Sequence, residues 1–100
     1  MLHKLWIQEG QVNMRIKGGI YVDEATLIRE ILFPYIESGY SQFVFHFSEV
    51  TEIGSSGLGV MVAIQKKTMQ LGGIVTIIGL QESIKEQFEK NLLLHNFKLI

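Results

Sequence analysis

QFVFHFSEVTEIGSSGLGV, Gln42 to Val60, passes from a nearly unbroken aromatic and aliphatic run into a segment holding Gly54, Ser55, Ser56, Gly57 and Gly59. The first part, Gln42 to Phe47, is dense in aromatic and β-branched residues, which predicts a strand at the centre of a sheet, covered on both faces. From Leu58 to Leu71 the apolar residues recur at helical spacing, and Gly72-Gly73 supplies a helix stop. A central strand therefore runs into a helix through IGSSGLGV, residues 53–60. In open α/β sheets ligands bind at that carboxyl end of the strands, and the first N–H groups of the helix favour negative charge there.

Outward from this junction, glycines and the single proline punctuate the chain. Toward the N-terminus, His3-Leu5-Ile7 and Val12-Met14-Ile16 alternate with polar or amphipathic neighbours on either side of Glu9-Gly10-Gln11. This pattern predicts a hairpin that stops at Gly18-Gly19. From Asp23, placed as a cap, Ala25, Leu27, Ile28, Ile31, Leu32, Tyr35 and Ile36 repeat with helical period. Pro34 predicts a kink or end nearby, with Ser38-Gly39 closing the helix. Toward the C-terminus, Ile74 to Ile78 reads as a second buried strand, Gln81 to Asn91 as a helix and Phe97 to Ile100 as a short edge strand. Strands alternating with helices predict an α/β fold. Its mixed sheet has four to five strands, an antiparallel N-terminal hairpin, three to four helices and right-handed crossovers.

Composition narrows the function. One hundred residues, 47% of them hydrophobic and 19% charged, suit one domain over residues 1–100. A net charge of -1 leaves no sequence-wide basic footprint for nucleic acid. With no cysteine there are no disulfides, thiolate nucleophiles or thiolate metal sites. His3, Lys4, Gln8 and Glu9 break the apolar start, and no run approaches the roughly 18 apolar residues of a membrane span. These features predict a soluble cytoplasmic protein without membrane insertion.

Four readings could explain the glycine-serine turn, and two of them, a phosphate cradle and a nucleophile, fail on residue identity. Gly54 and Gly59 have phosphate-loop spacing, but Val60 and Met61 stand where Lys and Ser/Thr must grip the phosphates and magnesium. A dinucleotide fingerprint would need glycine at Val62, and an esterase elbow would need glycine at Leu58. A nucleophilic serine needs a base oriented by a third group. Asp23 is the only aspartate, His46 within QFVFHF reads as a hydrogen-bonded interior residue, and His3 and His95 lie near the ends. No histidine pair or carboxylate cluster has ligand spacing, so neither a metal nor a cofactor is expected. Two readings of Ser55 and Ser56 remain: one hydroxyl caps the helix, or the turn carries a modification.

The stretch from Glu49 to Ile100 resembles the second half of STAS domains, particularly bacterial anti-sigma factor antagonists. It is similar in the strand-SSGLGV-helix transition, the Gly72-Gly73 turn, the apolar strand ending in Gly79-Leu80, and the next helix with Leu92-Leu93 and a closing Phe97. The earlier half is similar in layout. The resemblance implies a non-enzymatic partner switch. An anti-sigma factor with serine kinase activity phosphorylates Ser55, a serine phosphatase reverses it, and Gly54, Ser56, Gly57, Leu58, Tyr21 and Asp23 belong to the partner-binding face. The family usually has aspartate where this chain has Gly54, and a Gly-Glu-Ile/Leu-Asp type sequence where it has Gly18-Gly19-Ile20-Tyr21. It often has an acid or amide at His46, and many relatives add a final helix. A transporter-associated STAS subunit that binds without phosphorylation, or a small-ligand or nucleotide sensor, are the other functions consistent with these residues.

On the helix after the turn, Val60, Met61, Ile64, Thr68 and Leu71 form the stripe expected on the sheet. Leu58, Val62 and Met69 form a second stripe, to be covered by a neighbouring helix or, near Leu58, by a partner. Lys66 and Lys67 read as solvated, and Trp6 with the QFVFHF aromatics as core.

Overall fold

A computed structural model of the chain describes residues 2–91 and 97–100; Leu92-Leu93 and His95 lie outside the described residues. Among these, the order is β1 (Leu2–Gln8), β2 (Gln11–Ile20), α1 (Val22–Glu37), β3 (Gln42–Ile53), α2 (Ser55–Gln70), β4 (Ile74–Ile78), α3 (Glu82–Lys90) and β5 (Phe97–Leu99). The strands form one sheet in the order β1-β2-β3-β4-β5. β1 and β2 are the antiparallel hairpin, turning at Glu9 and Gly10 with φ of 51° and 78°, while β2 through β5 pair in parallel. The α/β class, the hairpin, the central place of β3 and the edge place of β5 match the sequence reading.

The boundaries differ in ways that matter. β2 does not stop at Gly18-Gly19. It continues to Ile20 through register shifts at Arg15/Lys17 and Gly18/Gly19, the second absorbed by Gly18 at φ 93°. β3 likewise runs past Phe47 to Ile53, pairing Gly18 with Val50 and Ile20 with Ile53. β4 reaches only His46 of β3, so β2 and β3 project together beyond the rest of the sheet. α1 begins at Val22, with Tyr21 at the N-cap and its N–H donating to the Glu24 carboxylate at 2.9 Å; Asp23 lies in the first turn rather than capping. Pro34 is inside α1, one turn from its end. The carbonyl of Pro34 accepts from the Ser38 N–H and Oγ, and Gly39 at φ 100° turns the chain out.

The three described helices bury their apolar stripes in one cluster. That cluster draws on alternate strand residues: Val12, Met14 and Ile16 of β2, Phe43, Phe45 and Phe47 of β3, Val75 and Ile77 of β4, and Phe97 of β5. Burying each large side chain contributes about 1.5–3 kcal/mol, so this single face holds the domain together. Among the described residues, β3 is therefore covered by helices on one face only. The alternate face carries Asn13, Val44 and Thr76, which are also buried. Trp6 also lies on that face, half-buried against the His46 ring at 5.0 Å rather than in the core. Asn13 Nδ2 donates to the Gln11 carbonyl, which leaves Asn13 Oδ1 to accept from His46 Nε2 at 3.0 Å. His46 is thus the hydrogen-bonded residue expected of it.

Candidate functional site

The projecting ends of β2 and β3 place two helix N-termini side by side. β2 enters α1 through Tyr21, β3 enters α2 through Gly54, and the Gly54 N–H donates to the Ile20 carbonyl at 2.9 Å across the strand ends. The N-cap of α2 is Gly54, which has no side chain to offer. Ser55 and Ser56 are the first two helical residues, so the expected serine cap does not form. Ser55 is exposed, Ser56 is half-buried, and neither hydroxyl makes a hydrogen bond among the described residues. The first turn of α2 contains no carboxylate, so the positive end of its dipole is not neutralised from within.

Gly57 is buried, and its place is fixed by sterics. A Cβ there would lie 2.7 Å from the Ile20 carbonyl oxygen and 2.7 Å from Ile53 Cγ1. The absence of a side chain lets α2 settle onto the ends of β2 and β3, which holds Ser55 at a defined height above them. Leu58 is 7% exposed and belongs to the core cluster. On the same helix, Val60, Met61, Ile64 and Thr68 are buried as expected, whereas Leu71 is half exposed and Gln65 is buried. Val62 is half-buried and Met69 is 45% exposed. Lys66 and Lys67 are exposed, with Lys67 Nζ 5.0 Å from the Phe33 ring centroid.

Tyr21, Val22, Gly54, Ser55 and Ser56 line a shallow cavity of about 130 Å³. A neighbouring cavity of about 290 Å³ between the helices is lined by Val22, Ala25, Thr26, Arg29, Ser56 and Gly59. The structure thus brings Tyr21, Gly54, Ser55 and Ser56 together and leaves Gly57 and Leu58 beneath them. Asp23 is exposed on the first turn of α1 but lines neither cavity. Val22, 64% exposed, and Arg29 were not singled out by sequence. Their spacing with Thr26 (i, i+4, i+7) was readable, but which face of α1 meets α2 was not. No described group of His, Asp or Glu residues could hold a metal, and no described helix is long and apolar enough to cross a membrane.

The STAS domain family profile matches residues 5–100, and the chain belongs to that family. Similar solved structures include the anti-sigma factor antagonist SpoIIAA in its unphosphorylated form (TM-score 0.84, 15% identity, 99% of this chain and 87% of that one). Its phosphorylated Bacillus form superposes with TM-score 0.82 at 16% identity over 99% and 91% of the two chains. A Thermotoga maritima protein described as a candidate anti-sigma factor antagonist (0.84, 22%, 96% and 83%) and a sulfate transporter family protein from Wolinella succinogenes (0.77, 15%, 93% and 80%) share the fold. No curated protein sequence matches the chain.

Proposed function

We propose that this STAS domain is an anti-sigma factor antagonist that switches partners through phosphorylation of Ser55. The observation that supports it is the state of that hydroxyl. It is exposed at the first position of a helix seated on the sheet and is committed to no cap, in a fold shared with a relative solved in both unphosphorylated and phosphorylated forms. A kinase-type anti-sigma factor in the cytoplasm presents ATP. Ser55 Oγ attacks the γ-phosphorus, ADP leaves, and the serine proton passes to a base of the kinase. A serine phosphatase restores the hydroxyl. The phosphate adds about -1.5 to -2 charges where the α2 dipole favours them, so the fold persists while the surface changes sign. Tyr21 and Val22 line the cavity beside the acceptor, Tyr21 standing at a position where the family usually has an acid.

The test is incubation with the candidate kinase and ATP. One phosphate is expected at Ser55, abolished by Ser55→Ala; modification at Ser56 alone refutes the assignment. Titration calorimetry of wild type, Ser55→Ala and Ser55→Glu against the same partner should show weaker binding for Ser55→Glu by about 1–3 kcal/mol. That difference should narrow at high salt, since charges beyond about 8 Å are screened at physiological ionic strength. A second reading, a transporter-associated STAS subunit that docks constitutively, is favoured by the lack of carboxylates in the first turn of α2 and in the lining of the cavity beside Ser55. It predicts no labelling and equal affinity for all three proteins. A phosphate or nucleotide sensor would instead give heat on titration with those ligands alone.

A further inference from the structure

Parallel sheets are as a rule buried on both faces, because their crossovers supply helices to each. Here β2 to β5 are parallel, yet the described helices all join the cluster on one face. The register defines what the other face displays. One row across the sheet is Trp6, Asn13, Val44, Thr76 and Lys98, and the next is Lys4, Arg15, His46 and Ile78. Lys4, Arg15 and Lys98 are exposed, and Lys17 is exposed at the next position of β2. Against these four cations stands Glu49, 4.0 Å from Lys17 Nζ, in a chain whose net charge is -1. His3, Lys4, Arg15, Lys17 and Glu49 line a hollow of about 250 Å³. Between these cations and Lys98 on the far strand lie Asn13, Val44 and Thr76, all buried, and the half-buried His46 and Ile78, of which Ile78 is the apolar side chain that reaches the surface.

We infer that this sheet face docks an acidic amphipathic helix of a partner protein, laid across the strands. Its carboxylates meet Lys4, Arg15 and Lys17 at one end and Lys98 at the other, and its apolar stripe lies over Ile78. The dimensions agree: five strands about 4.8 Å apart span roughly 19 Å, the length of about 13 helical residues at 1.5 Å each. A single-stranded nucleic acid fits less well, because it needs an open aromatic platform. The Trp6 ring is already engaged by His46 at 5.0 Å, Lys4 Nζ at 5.7 Å and Arg15 Cζ at 5.6 Å. The surface shares no residue with the serine turn, so the inference stands or falls independently of Ser55.

The test is a display library of helical peptides about 14 residues long, selected on the wild-type protein and counter-selected on Lys4→Glu/Arg15→Glu. The expected winners carry Asp or Glu on one face and apolar residues at i, i+3 and i+4 on the other. They shift the Trp6 indole and the β1 and β2 amides in ¹⁵N NMR, and they bind the double variant at least about tenfold more weakly. Lys17→Glu/Lys98→Glu, on exposed side chains, provides the same readout should the first pair disturb the Trp6 stacking. Neutral or basic winners, an empty selection, or shifts confined to the start of α2 overturn the inference. Tight binding to phosphatidylglycerol vesicles without enrichment of acidic peptides overturns it in favour of a lipid surface.

Discussion

The ring of Tyr21 lies against Gly54 so closely that a Cβ at position 54 would sit 3.0 Å from Tyr21 Cδ1. On its other side a Cβ at Gly19 would be 2.6 Å from Tyr21 Cε2. The two glycines and the tyrosine are therefore one arrangement: an aromatic ring occupies the space that side chains at positions 19 and 54 would take. Packing thus couples the residues allowed at positions 19, 21 and 54.

This coupling predicts a non-additive pair. Gly54→Asp introduces a carboxylate at the N-cap of α2, worth a few tenths of a kcal/mol over glycine, but must displace the Tyr21 ring. In the Tyr21→Ala background the same substitution meets no ring and should stabilise. Urea unfolding of the four proteins should give a coupling energy of about 0.5–1.5 kcal/mol. Additive effects would show that the ring swings aside freely.

Gly57 faces backbone, which yields less readily than an exposed ring. Gly57→Ala should destabilise by about 1–3 kcal/mol and Gly57→Val by more, as α2 is pushed from Ile20 and Ile53. An alanine variant unfolding at the wild-type urea midpoint would show that α2 can shift at no cost.

Because Gly54 rather than a serine occupies the N-cap, Ser55→Ala should change stability by less than the roughly 1 kcal/mol of a lost cap. Ser55→Asp should hold or raise stability by about 0.3–1 kcal/mol through the helix dipole. Thermal unfolding at low and high salt checks both, and a loss above 1 kcal/mol in Ser55→Ala would mean the hydroxyl is structural.

Burial, and then the neighbouring Arg15 charge, lower the pKa of His46 below the usual histidine value. The unfolded chain then binds the proton first. Stability from this residue is full above the unfolded pKa of about 6.5, and it declines as pH falls from there toward the lower folded value. His46→Gln should flatten that part of the stability profile, and Arg15→Gln should raise the His46 pKa in an NMR titration. An unchanged pKa in Arg15→Gln would leave burial as the whole cause.

The α/β class, the hairpin and the strand-to-helix turn were legible in local sequence because apolar period, glycine and turn chemistry act over a few residues. The place of Ser55 at the start of a helix was legible for the same reason, whereas its reading as an acceptor came from the resemblance of IGSSGLGV to STAS domains. Long-range placement was not. Gly18-Gly19 read as a strand end, but pairing with Val50 and Glu52 carries β2 on to Ile20, since ladder hydrogen bonds outweigh glycine's local preference. That the core takes most of Leu58 was not readable either, because helical spacing gives faces but not which neighbour each face meets. Trp6 read as core because its size suggests burial. Only the sheet register, placing it on the face away from the helices beside His46, Lys4 and Arg15, put it at a charged surface.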